Sequence, residues 1–231
     1  YQFITGPDLA GKFEEHMRKY DIELREGEEA IALERAADAV VVKTNKASYE
    51  ARAAIVASGK FSRELGVPGE KEFKNRGLTY CATCDGPLFA GKDVAVIGGG
   101  NSALDAALQM MKIARSVYVI NNLPALGGDA VMKEKVHAGR DVTVINSAKV
   151  LEIIGDKMVT GIKVLRGGRE EVICVQGVFV EIGLVPNSRF IKNIHINDAG
   201  EITVNCHNET NFAGVFAAGD VTDVPEKQII I

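Results

Sequence analysis

The sequence predicts an α/β protein in which one domain interrupts another. Three observations support this fold class: strand-like and helix-like segments alternate from residue 92 onward, a glycine-rich turn joins the first of those strands to its helix, and two connections containing Gly and Pro bracket the alternating part. The chain has 231 residues, 46% of them hydrophobic, and a formal net charge of −4. That length suffices for two modest cores, and that charge does not indicate a nucleic-acid-binding surface.

Residues 1–66 are predicted to form the first part of the interrupted domain. Leu9, Phe13 and Met17 lie at i, i+4 and i+8, which indicates one face of a helix, and Pro7 suits the first helical turn. Four short segments rich in Val, Ile and Ala then indicate strands: DIELREG, EAIALER, DAVVVKTN and RAAIVASG. The stretch at 66–77 contains Gly and Pro and marks a connection.

Residues 67–183 are predicted to form the inserted domain. The strands DVAVIG, SVYVIN and DVTVINS alternate with the helices NSALDAALQMMKIA and DAVMKEKVHAG, which describes a Rossmann-like βαβαβ unit with a parallel sheet. Residues 149–183 then supply three extended segments with turns at GD and GG, and we expect a meander laid on that unit. Cys174 lies in an apolar run of this part, and we expect it to be a small buried hydrophobe.

Residues 184–231 are predicted to return to the first domain, because EITVN and GVFAAGD are strands that the middle unit does not need. The chain would then cross between domains twice, near 66–70 and 183–188, and two crossings form a natural hinge. The chain starts without Met in a loop and ends on three isoleucines, so we expect part of a longer chain. No apolar segment approaches the roughly 20 residues of a membrane span, and no signal peptide opens the chain. We therefore expect a cytoplasmic protein without membrane or nucleic-acid partners.

The segment VIGGGNSALDAAL carries a dinucleotide-binding fingerprint. Gly98 allows a tight turn, Gly100 lets the backbone approach a pyrophosphate, and the small Ala103 lets the helix pack on the strand. Asn101 and Ser102 open that helix, whose N-terminus would face the negative charge. A clear strand, an amphipathic helix and a second strand surround the motif, so we predict NADH or NADPH as a cofactor.

The end of the second strand favours NADH over NADPH. NAD sites place an acid there for the ribose diol, and NADP sites place an arginine there for the extra phosphate. Asn121 and Asn122 are neither, and an amide binds a diol but cannot balance a phosphate. Lys133 and Arg140 on the next helix keep NADPH open.

Cys81 and Cys84 form a CxxC motif directly before the fingerprint. No second CxxC or suitably spaced His pair completes a zinc site, so we predict no metal and favour a redox dithiol. Asp85 is the ionisable side chain within the motif and is a candidate proton donor, although an aspartate before Gly-Pro is also a common turn former. A nicotinamide transfers a hydride whereas a disulfide is cleaved at one sulfur, so a flavin is the implied intermediary.

The motifs CATCDG, VAVIGGGNSA, GVFVEIGLVPN and GVFAAGDVTDVPEKQIII together resemble the low-molecular-weight thioredoxin reductases, which are FAD-dependent pyridine nucleotide disulfide oxidoreductases. GLVPNS and VPEKQIII also resemble the flavoprotein subunit of alkyl hydroperoxide reductase. The resemblance covers essentially the whole chain. It implies an FAD-binding domain, formed by 1–66 and 184–231, interrupted by an NAD(P)-binding domain, and a homodimer.

The resemblance also implies roles for individual residues. Cys84 would face the flavin, Cys81 would exchange with the disulfide of a thioredoxin-like or peroxiredoxin-system protein, and Asp85 would donate the proton. On the FAD side it implies contacts from a further set of residues: Gly59, Gly219, Asp220 and Gln228. The two domains would reorient during each cycle.

Three departures from the family pattern stand beside this resemblance. The first FAD-binding GxGxxG, the C-terminal helix and the basic HRR segment for the NADPH phosphate are all missing, and INN replaces the last of these. Some relatives accept electrons from ferredoxin or another carrier, but the intact GGGNSA argues for a dinucleotide. The alternative to an enzyme is a non-catalytic NAD(H)-binding module in which the CxxC is a redox sensor.

Overall fold

The structure is a computed structural model of the chain, and it describes residue 4, residues 6–36, residues 39–225 and residue 227. Within those residues no helix has the length and apolar character to cross a bilayer. The helices are α1 (Gly6–Met17), α2 (Glu70–Phe73), α3 (Ala82–Asp85), α4 (Asn101–Met110) and α5 (Ala130–His137), with short 3₁₀ turns at Gly86–Phe89 and Gly219–Val221.

The strands of the part preceding the CxxC motif are β1 (Ala30–Ala36), β2 (Ala39–Thr44), β3 (Ser48–Ala51), β4 (Ala54–Val56), β5 (Lys60–Ser62) and β6 (Leu78–Thr79). The strands that follow are β7 (Asp93–Ile97), β8 (Ser116–Ile120), β9 (Val142–Ile145), β10 (Ala148–Gly155), β11 (Val159–Arg166), β12 (Arg169–Cys174), β13 (Gly177–Val180), β14 (Leu184–Pro186) and β15 (Val215–Ala217).

The centre of the molecule is a five-stranded parallel sheet in the order β6-β13-β7-β8-β9. Alternate residues of its strands face opposite sides: Val94 and Val96 of β7 pack with α4 and α5, whereas Ala95 and Ile97 pack with the antiparallel sheet β10-β11-β12. The buried strands are almost continuously apolar, as expected for a parallel sheet covered on both faces. The three layers confirm the predicted Rossmann-like core with a meander laid on it.

One strand of this core differs from the prediction. GVFVEIG is not part of the meander but forms β13, which inserts between β6 and β7. The meander therefore consists of β10, β11 and β12 with turns at the predicted positions, and a fourth extended segment returns to the parallel sheet. All four residues of β13 are buried, which explains its uninterrupted apolar sequence.

The flanking segments form three small sheets. β1, β2 and β3 make an antiparallel sheet, β4 pairs with β15 in parallel, and β5 pairs with β14 antiparallel. The pairing of β15 with β4 confirms that GVFAAGD returns to the first segment. Ile202 is fully buried beside Leu33 and Val40, so the residues around it also return there.

Several local predictions in the flanking segments were wrong. DIELREG forms no strand, and EITVN contributes only isolated bridges at Ile202 rather than a strand. In both stretches the periodicity is short, and the described residues provide no continuous neighbouring strand to pair with. Cys174 is exposed rather than buried, because β12 is the edge of its sheet and the alternation turns Cys174 outward.

The predicted first helix is present as α1, but its apolar face is not buried. Phe13 is 52% exposed, and α1 contains no buried residue. Its i, i+4 pattern therefore identified the helix without identifying a packing partner among the described residues.

Candidate functional site

The glycine-rich turn after β7 packs so closely on its surroundings that side chains are excluded there. Gly98 has φ +139°, and a Cβ on it would lie 2.2 Å from the backbone oxygen of Glu181 and 2.9 Å from Ala103 Cβ. A Cβ on Gly100, by contrast, would meet nothing within 4 Å. Gly98 and the small Ala103 therefore serve close packing, while Gly100 borders open space that a ligand backbone contact would use.

Helix α4 begins at the open side of this turn. Its N-cap, Gly100, is extended and supplies no side-chain cap, so the N–H groups of the first turn lack the acceptor that a capping side chain would provide. The Asn101 side chain is used structurally: its Oδ1 accepts the Asp129 N–H at 2.8 Å, which ties α4 to the start of α5. The uncapped N-terminus suits an anionic group such as a pyrophosphate.

A cavity of about 690 Å³ lies at the carboxyl edge of the parallel sheet. Its walls include the fingerprint residues, the residues that follow β8, and polar side chains from three other parts of the chain: Gly98, Gly100, Asn101, Ser102, Asn121, Asn122, Lys149, Glu181 and Arg63. This position is the usual ligand site of an open α/β sheet. The cavity, the uncapped helix and the glycine turn fit a dinucleotide.

Asn121 lies at the cavity edge but is only 1% exposed. Its Nδ2 donates to the Leu123 carbonyl and to Asn146 Oδ1, and its Oδ1 accepts the Leu123 N–H at 3.2 Å. Asn121 therefore shapes the loop after β8 and links it to β9, while its predicted contact with the ribose stays a prediction. Asn122 is exposed beside it, and neither Lys133 nor Arg140 is among the residues lining the cavity.

The two cysteines of the CxxC motif form a disulfide at the start of α3, with their Cα atoms 5.3 Å apart. Cys81 is the N-cap of this short helix, and its Sγ accepts the Cys84 N–H at 3.1 Å. Cys84 is exposed and Cys81 is half-buried. No cluster of three or more potential metal ligands occurs in the described part of the chain.

Asp85 is held by a residue that the sequence reasoning missed. The Thr79 hydroxyl donates to Asp85 Oδ2 at 2.5 Å, and the same Thr79 oxygen accepts the Cys81 N–H at 3.2 Å. Thr79 is 6% exposed and ends β6, two residues before the first cysteine. This chain of hydrogen bonds fixes the carboxylate beside the dithiol turn. A buried polar residue next to CxxC is the signal that would have found it.

Glu70 connects the predicted first crossing to the dithiol segment, and the sequence did not single it out. Its carboxylate accepts the Leu65 and Gly66 N–H groups, each at 2.7 Å, and the Tyr80 hydroxyl at 2.9 Å. Glu70 is 1% exposed. Burial and the bond to Glu70 raise the pKa of Tyr80, so this hydroxyl keeps its proton and remains a donor. The crossing and the residue before Cys81 therefore share one anchor.

The candidate flavin-side residues lie at the carboxyl edge of the β4–β15 pair. Gly59 follows β4 and Gly219 follows β15, both with positive φ and with nothing within 4 Å of an added Cβ. Asp220 is partly exposed beside Gly219. Asn187 donates its backbone N–H to the Gly59 carbonyl at 2.9 Å, and a cavity of about 410 Å³ adjoins Ser58 and Asn187. These residues fit one end of a flavin site, and Gln228 lies outside the described residues.

A cavity that fits a dinucleotide and a disulfide at the same edge of one parallel sheet define a nucleotide-dependent thiol oxidoreductase. A family model described as pyridine nucleotide-disulphide oxidoreductase matches residues 4–229, and the chain belongs to this family. The family uses FAD and NAD(P)H, so the cofactor prediction is confirmed at this level.

Similar proteins agree with this assignment. The chain is 45% identical over 233 residues to an NADH dehydrogenase of Ferdinandcohnia aciditolerans, covering 100% of this chain and 45% of the relative. It is 41% identical over 231 residues to an alkyl hydroperoxide reductase subunit of Staphylococcus epidermidis, covering 98% and 46%. The chain thus spans about half the length of the curated relatives it matches.

Solved structures of thioredoxin reductases share the fold. The enzyme of T. acidophilum matches with a TM-score of 0.77 and 36% identity, covering 97% of this chain and 75% of that one. The enzyme of Lactococcus lactis matches with a TM-score of 0.80 and 30% identity, covering 100% and 77%. The predicted two-domain FAD and NAD(P) architecture and the predicted family are therefore confirmed.

Proposed function

We propose that the protein passes electrons from NADH through FAD to the Cys81–Cys84 disulfide and on to a disulfide of another protein. The observation that carries this proposal is the sheet order β6-β13-β7, which brings the CxxC turn after β6 and the glycine fingerprint after β7 to the same edge of one parallel sheet, with β13 between them. A redox sensor needs neither a proton donor nor a flavin contact, so the Asp85 and Asp220 motifs favour the relay over the sensor. We further propose domain boundaries at residues 66/67 and 183/184, a homodimer and a cytoplasmic location.

The donor is proposed to be NADH rather than NADPH. The loop after β8 offers Asn121 and Asn122, which carry no charge to balance a 2′-phosphate. Two of the relatives are named NADH dehydrogenase, which is consistent with this choice. Lys149 and Arg63 border the same cavity, so a comparison of the two donors tests the assignment directly.

The chain's own residues supply binding, orientation and a proton. Gly98, Gly100 and the first turn of α4 would hold the pyrophosphate of the dinucleotide, and Gly59, Gly219 and Asp220 would hold part of the FAD. FAD supplies the conversion of a two-electron hydride donor into a reductant of disulfides. Asp85, whose Oδ2 accepts the Thr79 hydroxyl, would protonate the sulfur that leaves when the disulfide opens.

The dithiol then reduces the acceptor by thiol exchange. The Cys81 thiolate attacks one sulfur of the partner disulfide, the other partner sulfur leaves with a proton, and Cys84 resolves the mixed disulfide. Two electrons and two protons pass to the partner while the Cys81–Cys84 bond reforms. The proposed acceptor is a thioredoxin-like protein or a protein of a peroxiredoxin system, as the names of the similar proteins suggest.

An anaerobic titration of the full-length protein tests this function. We expect substoichiometric NADH to bleach the flavin band and to be at least about tenfold more effective than NADPH. Addition of an oxidised thioredoxin-like protein or a peroxiredoxin system should then restore the band and leave reduced partner thiols. A full-length protein that binds NADH but shows no flavin absorbance would contradict the relay and support the redox-sensing module instead.

A further inference from the structure

We propose that Glu181 takes up a proton from solvent when a dinucleotide enters the 690 Å³ cavity, and that it thereby connects the cavity to the CxxC turn. This inference rests on the proposed assignment of the cavity to a nicotinamide nucleotide. Glu181 is a positioning residue in this account, because it acts on the nucleotide and on the dithiol through the backbone next to each of them.

The sheet order places Glu181 between the two motifs. β13 lies between β6 and β7, and in a parallel sheet the carboxyl ends of neighbouring strands lie at one edge. Glu181 follows β13 directly, Gly98 follows β7 directly, and the CxxC turn follows β6. The Glu181 N–H donates to the Ile97 carbonyl at 2.8 Å, and the Glu181 carbonyl is the atom that excludes a side chain at Gly98.

Glu181 borders the cavity together with the fingerprint glycines. Its carboxyl also lies close enough to the backbone N–H of Ala82, the first residue of the CxxC helix, for that N–H to lower its pKa. Asp105 of α4, which is also negative, acts on the carboxylate as well. Arg63 and Lys149 border the same cavity. The groups that act on the Glu181 carboxyl are therefore the uncharged Ala82 N–H and the carboxylate of Asp105, which has the same charge as an ionised Glu181.

This environment disfavours the ionised form of Glu181, which would add a second negative charge near that of Asp105. Partial burial raises the pKa of Glu181 to about 7, although the Ala82 N–H lowers it and Asp105 adds to the rise. A dinucleotide pyrophosphate carries two negative charges, so its arrival beside the carboxylate favours the protonated form further. In this step the site with an ionised Glu181 binds the dianion and one proton from solvent. The product is a complex in which Glu181 is neutral.

The consequence is that binding becomes weaker as the pH rises through about 7. Below this value Glu181 is already neutral, and binding takes up little extra proton. Above it, each binding event must also protonate the carboxyl, so the dissociation constant increases by up to about tenfold per pH unit until the pKa of the complex is reached. Protonation of Glu181 also removes a negative charge next to the Ala82 N–H. Binding of a ligand in the cavity therefore changes the electrostatic environment of the CxxC turn.

Calorimetry with ADP-ribose tests the proposal without turnover, because this probe carries the pyrophosphate but no nicotinamide. Titrations of the full-length protein at pH 6 and pH 8, in buffers with different ionisation enthalpies, measure the protons taken up. We expect about half a proton or more at pH 8 and close to none at pH 6, with affinity at least about threefold weaker at pH 8.

The variant Glu181→Gln keeps an acceptor for Ala82 but cannot titrate. We expect it to bind ADP-ribose with no proton uptake and with equal affinity at the two pH values. Glu171→Gln, on exposed β12, is the matched control and should behave as the wild type. Equal proton uptake by wild type and Glu181→Gln, or none by wild type at pH 8, would overturn the inference. Failure of ADP-ribose to bind at either pH would instead contradict the nucleotide assignment.

Discussion

The central unit, which consists of the five-stranded sheet and the layers that cover it, and the flanking segments, which form the three small sheets, both carry candidate sites. The two regions differ in how far the strands beneath those sites are buried. In the central unit, a five-stranded sheet is covered by helices on one face and by an antiparallel sheet on the other, and most of its strand residues are buried. In the flanking segments, the parallel pair β4–β15 has three residues in each strand. Ile55 in β4 is 72% exposed, and Phe13 of α1 is 52% exposed.

This difference has a consequence for function. The candidate nucleotide cavity and the dithiol turn are built on a sheet whose buried side chains are closely packed, so the addition of a single atom there can prevent the fit. Around Gly59 and Gly219 an added Cβ would meet nothing within 4 Å, so the flavin-side residues are presented in open surroundings. We expect changes in the central unit to be severe and specific, and matched changes in the flanking segments to be milder.

The largest effect is expected from the cysteines. Cys81→Ser and Cys84→Ser should each reduce turnover with a protein disulfide by about 10³-fold or more, because neither single thiol completes the exchange. Reduction of the flavin by NADH should persist in both, which separates the nucleotide half of the relay from the dithiol half.

The two cysteine variants also test the proposed roles. In Cys81→Ser, a thiolate at Cys84 beside the oxidised flavin should produce an additional long-wavelength absorbance that Cys84→Ser lacks. Identical spectra for the two variants would show that the roles of the two cysteines were assigned incorrectly.

A pair of glycine substitutions compares the two regions directly. Gly98→Ala places a Cβ 2.2 Å from the Glu181 carbonyl oxygen at φ +139°, and we expect it to lower the free energy of unfolding by about 3 kcal/mol and to weaken ADP-ribose binding at least tenfold. Gly59→Ala has a left-handed φ of +62° but open space, so about 1 kcal/mol is expected. Urea unfolding and calorimetry measure both. Equal losses would remove the contrast between the regions.

The anchor at Glu70 should show an intermediate effect. In Glu70→Gln, the amide NH₂ would face one of the N–H or O–H groups that now donate to the Glu70 carboxylate. We expect the free energy of unfolding to fall by about 2 kcal/mol. Tyr80→Phe removes one of these hydrogen bonds and should cost about 1 kcal/mol. Urea unfolding of both variants provides the measurement, and a greater loss in Tyr80→Phe would argue against Glu70 as the centre of this network.

The smallest effect concerns Glu201 in the flanking segments, whose side chain is 14% exposed. Burial alone would raise its pKa, but hydrogen bonds from Lys60, Asn197 and Lys227 lower it to about 2. A lowered pKa contributes stability that is present above the ordinary value of 4.5 and is lost as the pH falls toward 2. Glu201→Gln should therefore lose about 1 kcal/mol at pH 7 and progressively less below pH 4.5.

A matched acid checks this pH dependence. Glu34 pairs with Lys43 on the surface, where the two side chains are 49% and 45% exposed. Glu34→Gln should change thermal stability little at any pH, because exposed pairs are weak. A loss in Glu201→Gln that grows on acidification would contradict the proposed role of its three donors.

The local sequence determined those elements whose conformation depends on residues close to one another in the chain. The turn of Gly98 to Ala103 and the CxxC pair are short patterns in which spacing alone sets the geometry, and both are found as predicted. The helices and strands of the βαβαβ unit were likewise predictable from their period. Weak patterns such as DIELREG and EITVN failed, because a short strand exists only where another strand is available to pair with it.

The tertiary structure decided which other residues surround these motifs. Thr79 meets Asp85, Glu70 meets Tyr80, and Glu181 comes between Gly98 and the CxxC turn. The last juxtaposition follows from β13 pairing between β6 and β7, which joins parts of the chain about a hundred residues apart. Strand order is set by which apolar faces bury one another across the whole sheet, and that competition has no local signature in the sequence.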